Sequence, residues 1–470
     1  MSEQIVIVGG GLAGMCAAYE AVSRGWHPVV IETRGRPGGL IASACLADVT
    51  FDIGAESWAT RSHAVRELVD ELGLDVTEPT GRSWVHNQHT GQSYPIPEGS
   101  LGIPASLDAP EVRTALGEDG WRRACEDLTM GSTVGTDATD LGSLVEQRLG
   151  TAALDHLVRP VAGGIHTCDP SQLAVDAVIP GIREAMVRHG SLIRAAAELA
   201  ASNPGAKVAQ TSGGMFRLIE ALRARVESGG GRILARHAVM GIRPDSNGTW
   251  SITIQETQRP SDPAADPEPT GEPWEMVSER VVVALPGRAA MPLLHEAVGT
   301  PTWDLPLGSP IAHQVLVVDC ADLDAAPRGS GVLVTAGRDN DPGAVQAKAV
   351  SHLSHKWGWM RQQLPPHRHV LRVSYGRMGE PYPQPSVERA VSDVSRVCGV
   401  NLTAENVVAS MLVRWDGQLA PQTPEHRERV AAFCTEVSRH RGLQVTGAWV
   451  AGSGFAAVVP HARRCVKALS

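Results

Sequence analysis

Aromatic side chains make up only 4% of this 470-residue chain, and the sequence also lacks the patterns that define several protein classes. No apolar stretch approaches the roughly twenty residues needed to span a bilayer, so no transmembrane segment is expected. No basic run interrupts the chain, and a formal charge of −9 is mild for this length, which argues against nucleic acid as a partner. An anionic cofactor or substrate must then be met by local groups, not by a global field. The eight cysteines (Cys16, Cys45, Cys125, Cys168, Cys320, Cys398, Cys434, Cys465) contain no C-x-x-C pair. Scattered single thiols fit a reducing cytosol better than a disulfide framework or a zinc site. Neither a hydrolase-type nucleophile–base pair nor metal-ligand spacing is present. His352 and His355 stand three apart with no third ligand near them in sequence, so they are expected to be a solvated pair. His367 and His369, on either side of Arg368, are expected in a solvated turn. There is no internal repeat, and because the chain enters a strand almost at once no signal peptide is expected. These absences leave a cytoplasmic enzyme or binding protein of two or three domains.

The first forty residues have the form of a dinucleotide-holding device. Ile5-Val6-Ile7-Val8 is a β-branched run suited to a strand buried on both faces of a parallel sheet. Gly9-Gly10-Gly11-Leu12-Ala13-Gly14 follows as a G-x-G-x-x-G, then a helix to about Gly25, then a second strand, Pro28 to Ile31, ending in Glu32. Gly9 allows the tight turn, Gly11 lets the backbone approach a pyrophosphate, and Gly14 lets helix and strand pack closely. The helix N-terminus offers free N–H groups and partial positive charge to the phosphates. Glu32 can accept hydrogen bonds from a ribose. A second glycine pair, Gly38-Gly39, comes directly after, and Asp52-Ile53-Gly54 opens another loop. That arrangement resembles the FAD-binding start of the amine oxidase-like flavoenzymes, which implies FAD and not a nicotinamide.

Further along, Arg113 to Leu116, Gly120 to Asp127, Leu141 to Leu149 and Ser191 to Ala200 have helical periodicity. Met215 to Glu227 reads as a helix, and Arg232 to Ala235, His237 to Ile242 and Trp250 to Gln255 read as strands, the second returning to the first domain. Arg259 to Pro273, rich in Pro and Asp, is expected to be a surface loop or disordered insert. Glu279 to Leu285, His313 to Asp319 and His369 to Tyr375 read as strands. The chain closes on a strand from Leu443, a glycine-rich loop and a helix from Phe455 to Leu469. A helix N-terminus there, freed by Gly452 and Gly454, could stabilise negative charge on a reduced flavin.

Several segments resemble the FAD-dependent porphyrinogen oxidases of the protoporphyrinogen/coproporphyrinogen oxidase family, in particular the soluble Gram-positive branch. They are Tyr94 to Pro104 (Y-P-I-P-E-G-S-L-G-I-P), Arg159 to Pro170 (R-P-V-A-G-G-I-H-T-C-D-P) with Leu173, and Gly213-Gly214-Met215. They continue with Lys356-Trp357-Gly358-Trp359, Arg372 to Arg377, Arg414-Trp415 with Pro421-Gln422, and Gly447 to Gly454. The resemblance implies an α/β plus α+β protein with an amine oxidase-like, Rossmann-like FAD domain from residues 1–80, 206–290 and 410–470. A mixed-sheet substrate domain (81–100 and 300–409) and a helical domain (101–205) would complete it. It further implies FAD contacts from Gly9, Gly10, Gly11, Leu12, Ala13, Gly14, Glu32, Thr33, Gly38, Gly39 and Leu40. Gly54, Ala55, Glu56, Ser57, Val239, Trp415, Ala448, Ser453, Gly454 and Phe455 would supply the others. Arg61 falls where the family places a basic residue at the pocket, and His166 and Arg183 are further candidates for substrate carboxylates.

The implied reaction is six-electron oxidation of a porphyrinogen in haem biosynthesis, with O2 as acceptor, H2O2 as by-product and transient contact with a ferrochelatase. No general base and no metal site is assigned. The Gram-positive character favours coproporphyrinogen III over protoporphyrinogen IX. Another amine oxidase-like flavoenzyme and a non-catalytic FAD or porphyrin carrier are the competing readings.

Overall fold

Continuous β-branched runs build the central sheet of the computed structural model, which describes residues 4–60, 62–166, 168–202, 207–262, 265–305, 307–337, 344–418 and 423–470. Five parallel strands lie in the order Arg232–Ala235, His27–Glu32, Gln4–Val8, Val281–Val283 and Leu443–Val445. Val6 stands opposite both Val29 and Val281, and Val281 opposite Leu443, so a sheet covered on both faces is filled by aliphatic side chains. On one face the helices Leu12–Ser23, Phe216–Ser228 and Phe455–Lys467 share a core with Met15, Leu222 and Val459. On the other, Ile252, Ile254, Met291 and Phe433 pack beneath a three-stranded antiparallel sheet (His237–Pro244, Trp250–Gln258, Glu268–Ser278) and the helices Gly287–Val298 and Pro424–Ser438.

A second sheet of seven strands is mixed. Its order is Val407–Gln418, Ser309–Asp319, Arg368–Tyr375, Ala349–His352, Gly331–Val334, Ser83–Asn87 and Gln92–Pro95, and only the Gly331–Val334/Ser83–Asn87 pair is parallel. The amphipathic helix Val387–Cys398 covers one face through Val391, Val394 and Val397. The other face meets Phe51 and Trp357.

Between Ile103 and Ala196 the chain is helical around Leu144, Leu157 and Ile182. The hairpin at Gly99–Pro104 docks on this unit: Leu101 and Gly102 both have positive φ, and a Cβ on Gly102 would lie 2.3 Å from the Leu157 carbonyl oxygen. Inside the unit Arg148 and Asp127 are both fully buried, with Nε and Oδ1 at 2.5 Å. Asp127 also accepts from the Ser191 hydroxyl and from the N–H groups of Leu192 and Ile193, where the helix Leu192–Ser202 starts. One carboxylate thus neutralises the cation and satisfies a helix N-terminus.

One expectation needs correcting. Glu268–Ser278 is a strand, half of it inside the stretch read as loop, because its backbone pairs with Trp250–Gln258 although its side chains are mostly polar and exposed. His237–Pro244 is an edge strand of that small sheet, and its Ile242 packs in the same core as Val6 and Val8 of the five-stranded sheet. Val407–Gln418 pairs with Ser309–Asp319 in the seven-stranded sheet, and the last strand of the five-stranded sheet is Leu443–Val445. Among the described residues no helix is long and apolar enough to cross a membrane. The eight cysteines are all free, and Cys45 is exposed.

Removing the carboxylate in Asp127→Ala leaves Arg148 uncompensated in the interior, and the expected loss is about 3–5 kcal/mol. Denaturant unfolding followed by circular dichroism measures it. Arg66→Ala, which breaks an exposed pair with Asp70, is expected to leave the transition in place.

Candidate active site

The first glycine loop is closed by its own backbone. Gly9 N–H donates to Ile31 O at 2.8 Å, and Gly10 N–H donates to Glu32 Oε2 at 2.8 Å. Arg34 N–H holds the other oxygen, Oε1, at 2.8 Å. Burial raises the Glu32 carboxyl above its ordinary pKa, against the pull of those two donors. Gly38 N–H donates to Gly10 O at 2.8 Å, so the second glycine pair lies against the first loop, and a Cβ on Gly39 would come within 3.3 Å of Gly11 Cα. Thr33 O accepts from the Thr257 hydroxyl at 2.7 Å, which sets the chain after Glu32 on the three-stranded sheet that carries Val239.

Gly11 and Gly14 need to be glycine for different reasons. A Cβ on Gly14 would sit 1.8 Å from the Gly9 carbonyl oxygen, so helix and loop pack backbone to backbone. Gly11 has an ordinary φ of −67°, and a Cβ there would meet no protein atom within 4 Å. None of the described residues requires glycine at 11, and the space in front of the first turn is open to a ligand. Gly454, at φ 97°, has the same open surroundings. The helices that follow them, Leu12–Ser23 and Phe455–Lys467, are joined at their C-terminal halves by Arg463 Nε to Glu20 Oε2 at 2.9 Å and by Arg24 to Ser470. They therefore run parallel and present both N-termini at one end. This open, glycine-lined cradle fits a dinucleotide cofactor.

The third loop has a buried ionic hub at its end. Lys356 Nζ lies 2.6 Å from Glu56 Oε1, the Trp357 indole N–H donates to the same oxygen at 3.0 Å, and the Arg372 guanidinium grips Oε2. Arg372 also donates to Gly54 O at 3.1 Å. Burial alone would raise the Glu56 carboxyl, but Arg372 and Lys356 outweigh it and hold the pKa at about 2. A Cβ on Gly54 would strike Leu40 O at 2.0 Å and Trp415 at 3.0 Å, and the Trp415 indole donates to Ile53 O at 2.9 Å, which locks the loop in place. Beside it, Asp52 accepts from Met215 N, Phe216 N and Gln210 Nε2 at 2.8–3.0 Å. Gln210 Oε1 in turn accepts from the Trp359 indole at 2.9 Å. Burial is the largest influence on Asp52 and pushes it up to about 7.

Comparison with known proteins agrees with this geometry. Residues 12–466 match the model of the flavin containing amine oxidoreductases. The chain belongs to that family. Its cofactor is accordingly a flavin, and its fold is that of the family's FAD-dependent oxidoreductases. A coproporphyrinogen III oxidase of Staphylococcus aureus is 25% identical over 81% of this chain and 79% of its own length. One of Mycobacterium leprae is 25% identical over 100% of this chain and 98% of its own. The crystal structure of an Exiguobacterium sp. protein, described as a candidate protoporphyrinogen oxidase, superposes with a TM-score of 0.80 over 100% of this chain and 99% of that one, at 23% identity.

Within this flavoenzyme, Gly9 to Gly14, Glu32, Gly38 to Leu40, Gly54 and Trp415 come together, and Ala448, Ser453, Gly454 and Phe455 border the second helix N-terminus. The Glu56 carboxylate is held by Lys356, Arg372 and Trp357 and forms the hub at the end of this loop. Arg183 is bound to Asp176 and to the carbonyls of Thr136 and Ala138 in the helical unit, and a substrate carboxylate would have to displace all three. Arg61, Pro421 and Gln422 lie outside the described residues; His166 ends the helix Arg159–His166, and its side chain is not described.

The histidines correct the sequence reading. His352 and His369 are both buried, with Nε2 and Nδ1 at 3.0 Å, because each sits on a strand of the seven-stranded sheet; Asp324 binds the far side of His369. Burial brings His352 down to about 3. Among the described residues no cluster could hold a metal. Lys356, Trp357, Arg372 and Gln210 were given no site role from sequence, although three of them lie in segments that carried the resemblance.

Glu56→Gln is expected to destabilise the protein by about 3 kcal/mol at pH 7, because two buried cations lose their counter-charge. A carboxyl held at about 2, below its ordinary 4.5, stabilises fully above 4.5 and loses that contribution as pH falls towards 2. Unfolding midpoints of the two proteins are therefore expected to converge between pH 4.5 and 2. Gly11→Val is expected to fold but lose flavin absorbance, whereas Gly14→Ala is expected to lose both stability and flavin.

Proposed function

We propose that this flavoenzyme is an FAD-dependent oxidase that converts coproporphyrinogen III to coproporphyrin III, with O2 as acceptor. The full-length likeness to the coproporphyrinogen III oxidase of M. leprae carries the reading. The open space at Gly11 and Gly454, with Glu32 at the ribose position, supports FAD as the form of the flavin.

Aromatisation of the macrocycle removes six electrons and six protons. Three O2 molecules accept them and become three H2O2. When bound, the cofactor supplies hydride acceptance and its own reoxidation by O2. The protein's part is electrostatic. Two cations against one carboxylate leave the Glu56–Lys356–Arg372 hub with one net positive charge in the interior, and Arg372 delivers it to the Gly54 loop. The N-terminus of Phe455–Lys467 adds its dipole. Both favour the negative charge that accompanies reduction.

The test is a side-by-side aerobic assay of coproporphyrinogen III and protoporphyrinogen IX, following porphyrin fluorescence and peroxide. Three peroxides per porphyrin and faster turnover of coproporphyrinogen III are expected. Preference for protoporphyrinogen IX would overturn the substrate assignment. Turnover of an amine without turnover of either porphyrinogen would overturn the porphyrinogen reading, and an unchanged flavin spectrum on anaerobic mixing would make the protein a carrier.

A further inference from the structure

Positive charge in this protein is carried almost wholly by arginine. The only lysines are Lys207, Lys348, Lys356 and Lys467. Lys207 and Lys467 are exposed, and Lys356 is the partner of Glu56. Lys348 is the exception. Its Nζ is buried and makes no hydrogen bond among the described residues. A buried ammonium without a partner costs several kcal/mol unless something neutralises it, roughly the penalty of any desolvated ion.

Its surroundings are cationic as well. Lys348 N–H donates to Ser374 O at 2.8 Å, which ties the residue to the strand Arg368–Tyr375. Along that strand Arg372 comes first, then Ser374, then Arg377 in the turn beyond. Arg372 keeps a buried Nε with no partner among the described residues, and its other nitrogens are taken by Glu56 and Gly54. Among the described residues the Arg377 guanidinium has only the Val334 carbonyl at 3.3 Å and the exposed Glu380 at 3.9 Å. Burial, then Arg377, then Arg372 lower the Lys348 ammonium to about 8, with Glu380 opposing. His313, bound to Ser374 Oγ at 3.0 Å, is pushed well below its ordinary pKa by burial and by Arg372 and Lys348, and so adds no anion.

The place is the seam between the seven-stranded sheet and the helical unit. Leu333, adjoining Val334, meets Gly164 of the helix Arg159–His166, and Met378, next to Arg377, packs on the helical core. The hub lies at Arg372, on the same strand.

We propose that Lys348 and Arg377 form the recognition site for one carboxylate of the substrate, a propionate of the tetrapyrrole. The assignment rests on the porphyrinogen reading above. A carboxylate there would accept from both cations, and it explains why a buried lysine is left open.

The flavin-loaded protein is titrated with coproporphyrin III and, separately, with its uncharged tetramethyl ester, in wild type, Lys348→Met and Lys348→Arg. Lys348→Met is expected to weaken the free acid about tenfold or more, a charge-assisted hydrogen bond, and to leave the ester unchanged. Lys348→Arg is expected to restore most of the acid affinity. Without ligand, Lys348→Met is expected to raise the thermal midpoint, because it removes an unpaired buried charge. Undiminished acid affinity in a flavin-loaded Lys348→Met, equal weakening of acid and ester, or a lowered midpoint would each overturn the site. Should Lys348→Met not fold, that too overturns it, since the lysine would then be structural; Arg377→Gln gives the same acid-against-ester comparison independently. A wild type that binds neither tetrapyrrole would overturn the porphyrinogen reading itself, whereas a wild type that binds and variants that bind alike would overturn the carboxylate site alone.

Discussion

One buried carboxylate joins the two halves of this flavoenzyme. Glu56 belongs to the loop that starts from the dinucleotide-type domain, whereas Lys356, Trp357 and Arg372 belong to the seven-stranded sheet and its adjoining helix, three hundred residues later. A buried ion pair is weak evidence of net stability, since desolvation consumes most of what attraction gains. It is strong evidence of fixed position, because any displacement leaves a charge uncompensated. The loop at Gly54 is accordingly held from both sides: Trp415 and Leu40 confine it sterically, and Arg372 binds its carbonyl.

The same economy of parts governs the neighbouring carboxylate. Asp52 caps the helix Phe216–Ser228 through Met215 N and Phe216 N, and Gln210 relays it to Trp359 and to the Glu56 backbone. Lys356-Trp357-Gly358-Trp359 thus reaches both acids of the D-x-G-A-E loop, one indole to each network. Two tryptophans in a chain with few aromatics serve here as hydrogen-bond donors with a large apolar body, a role neither phenylalanine nor leucine can fill.

What could be read from the sequence follows from the range of the interactions concerned. Ile5 to Val8, Gly9 to Gly14 and Glu32 are governed by contacts within thirty residues, and strand, turn and acid are where the pattern puts them. Leu141–Leu149 agrees to the residue for the same reason. The hub was not legible: nothing local to Glu56 says that its partners lie at 356 and 372. Nor was Glu268–Ser278, whose proline-rich, polar side chains hide a strand specified by its backbone pairing with Trp250–Gln258. His352 and His369 look like solvated residues in one dimension, and only the adjacency of their strands makes them a buried pair.

The distribution of charge gives the interior a direction. At the first domain, backbone N–H groups and two parallel helix N-termini offer partial positive charge suited to phosphates and to a reduced ring. At the hub, full charges appear, but a carboxylate holds them in balance save for one. Beyond Arg372 the balance is gone: among the described residues Lys348 Nζ has no hydrogen-bond partner, and Arg377 has only the exposed Glu380 as counter-charge. A protein with net charge −9 has ample carboxylates with which to neutralise two more cations. Among the described residues only the exposed Glu380 answers them, so the negative partner proposed above, an outside molecule bearing acids, would complete the balance at the seam between sheet and helical unit.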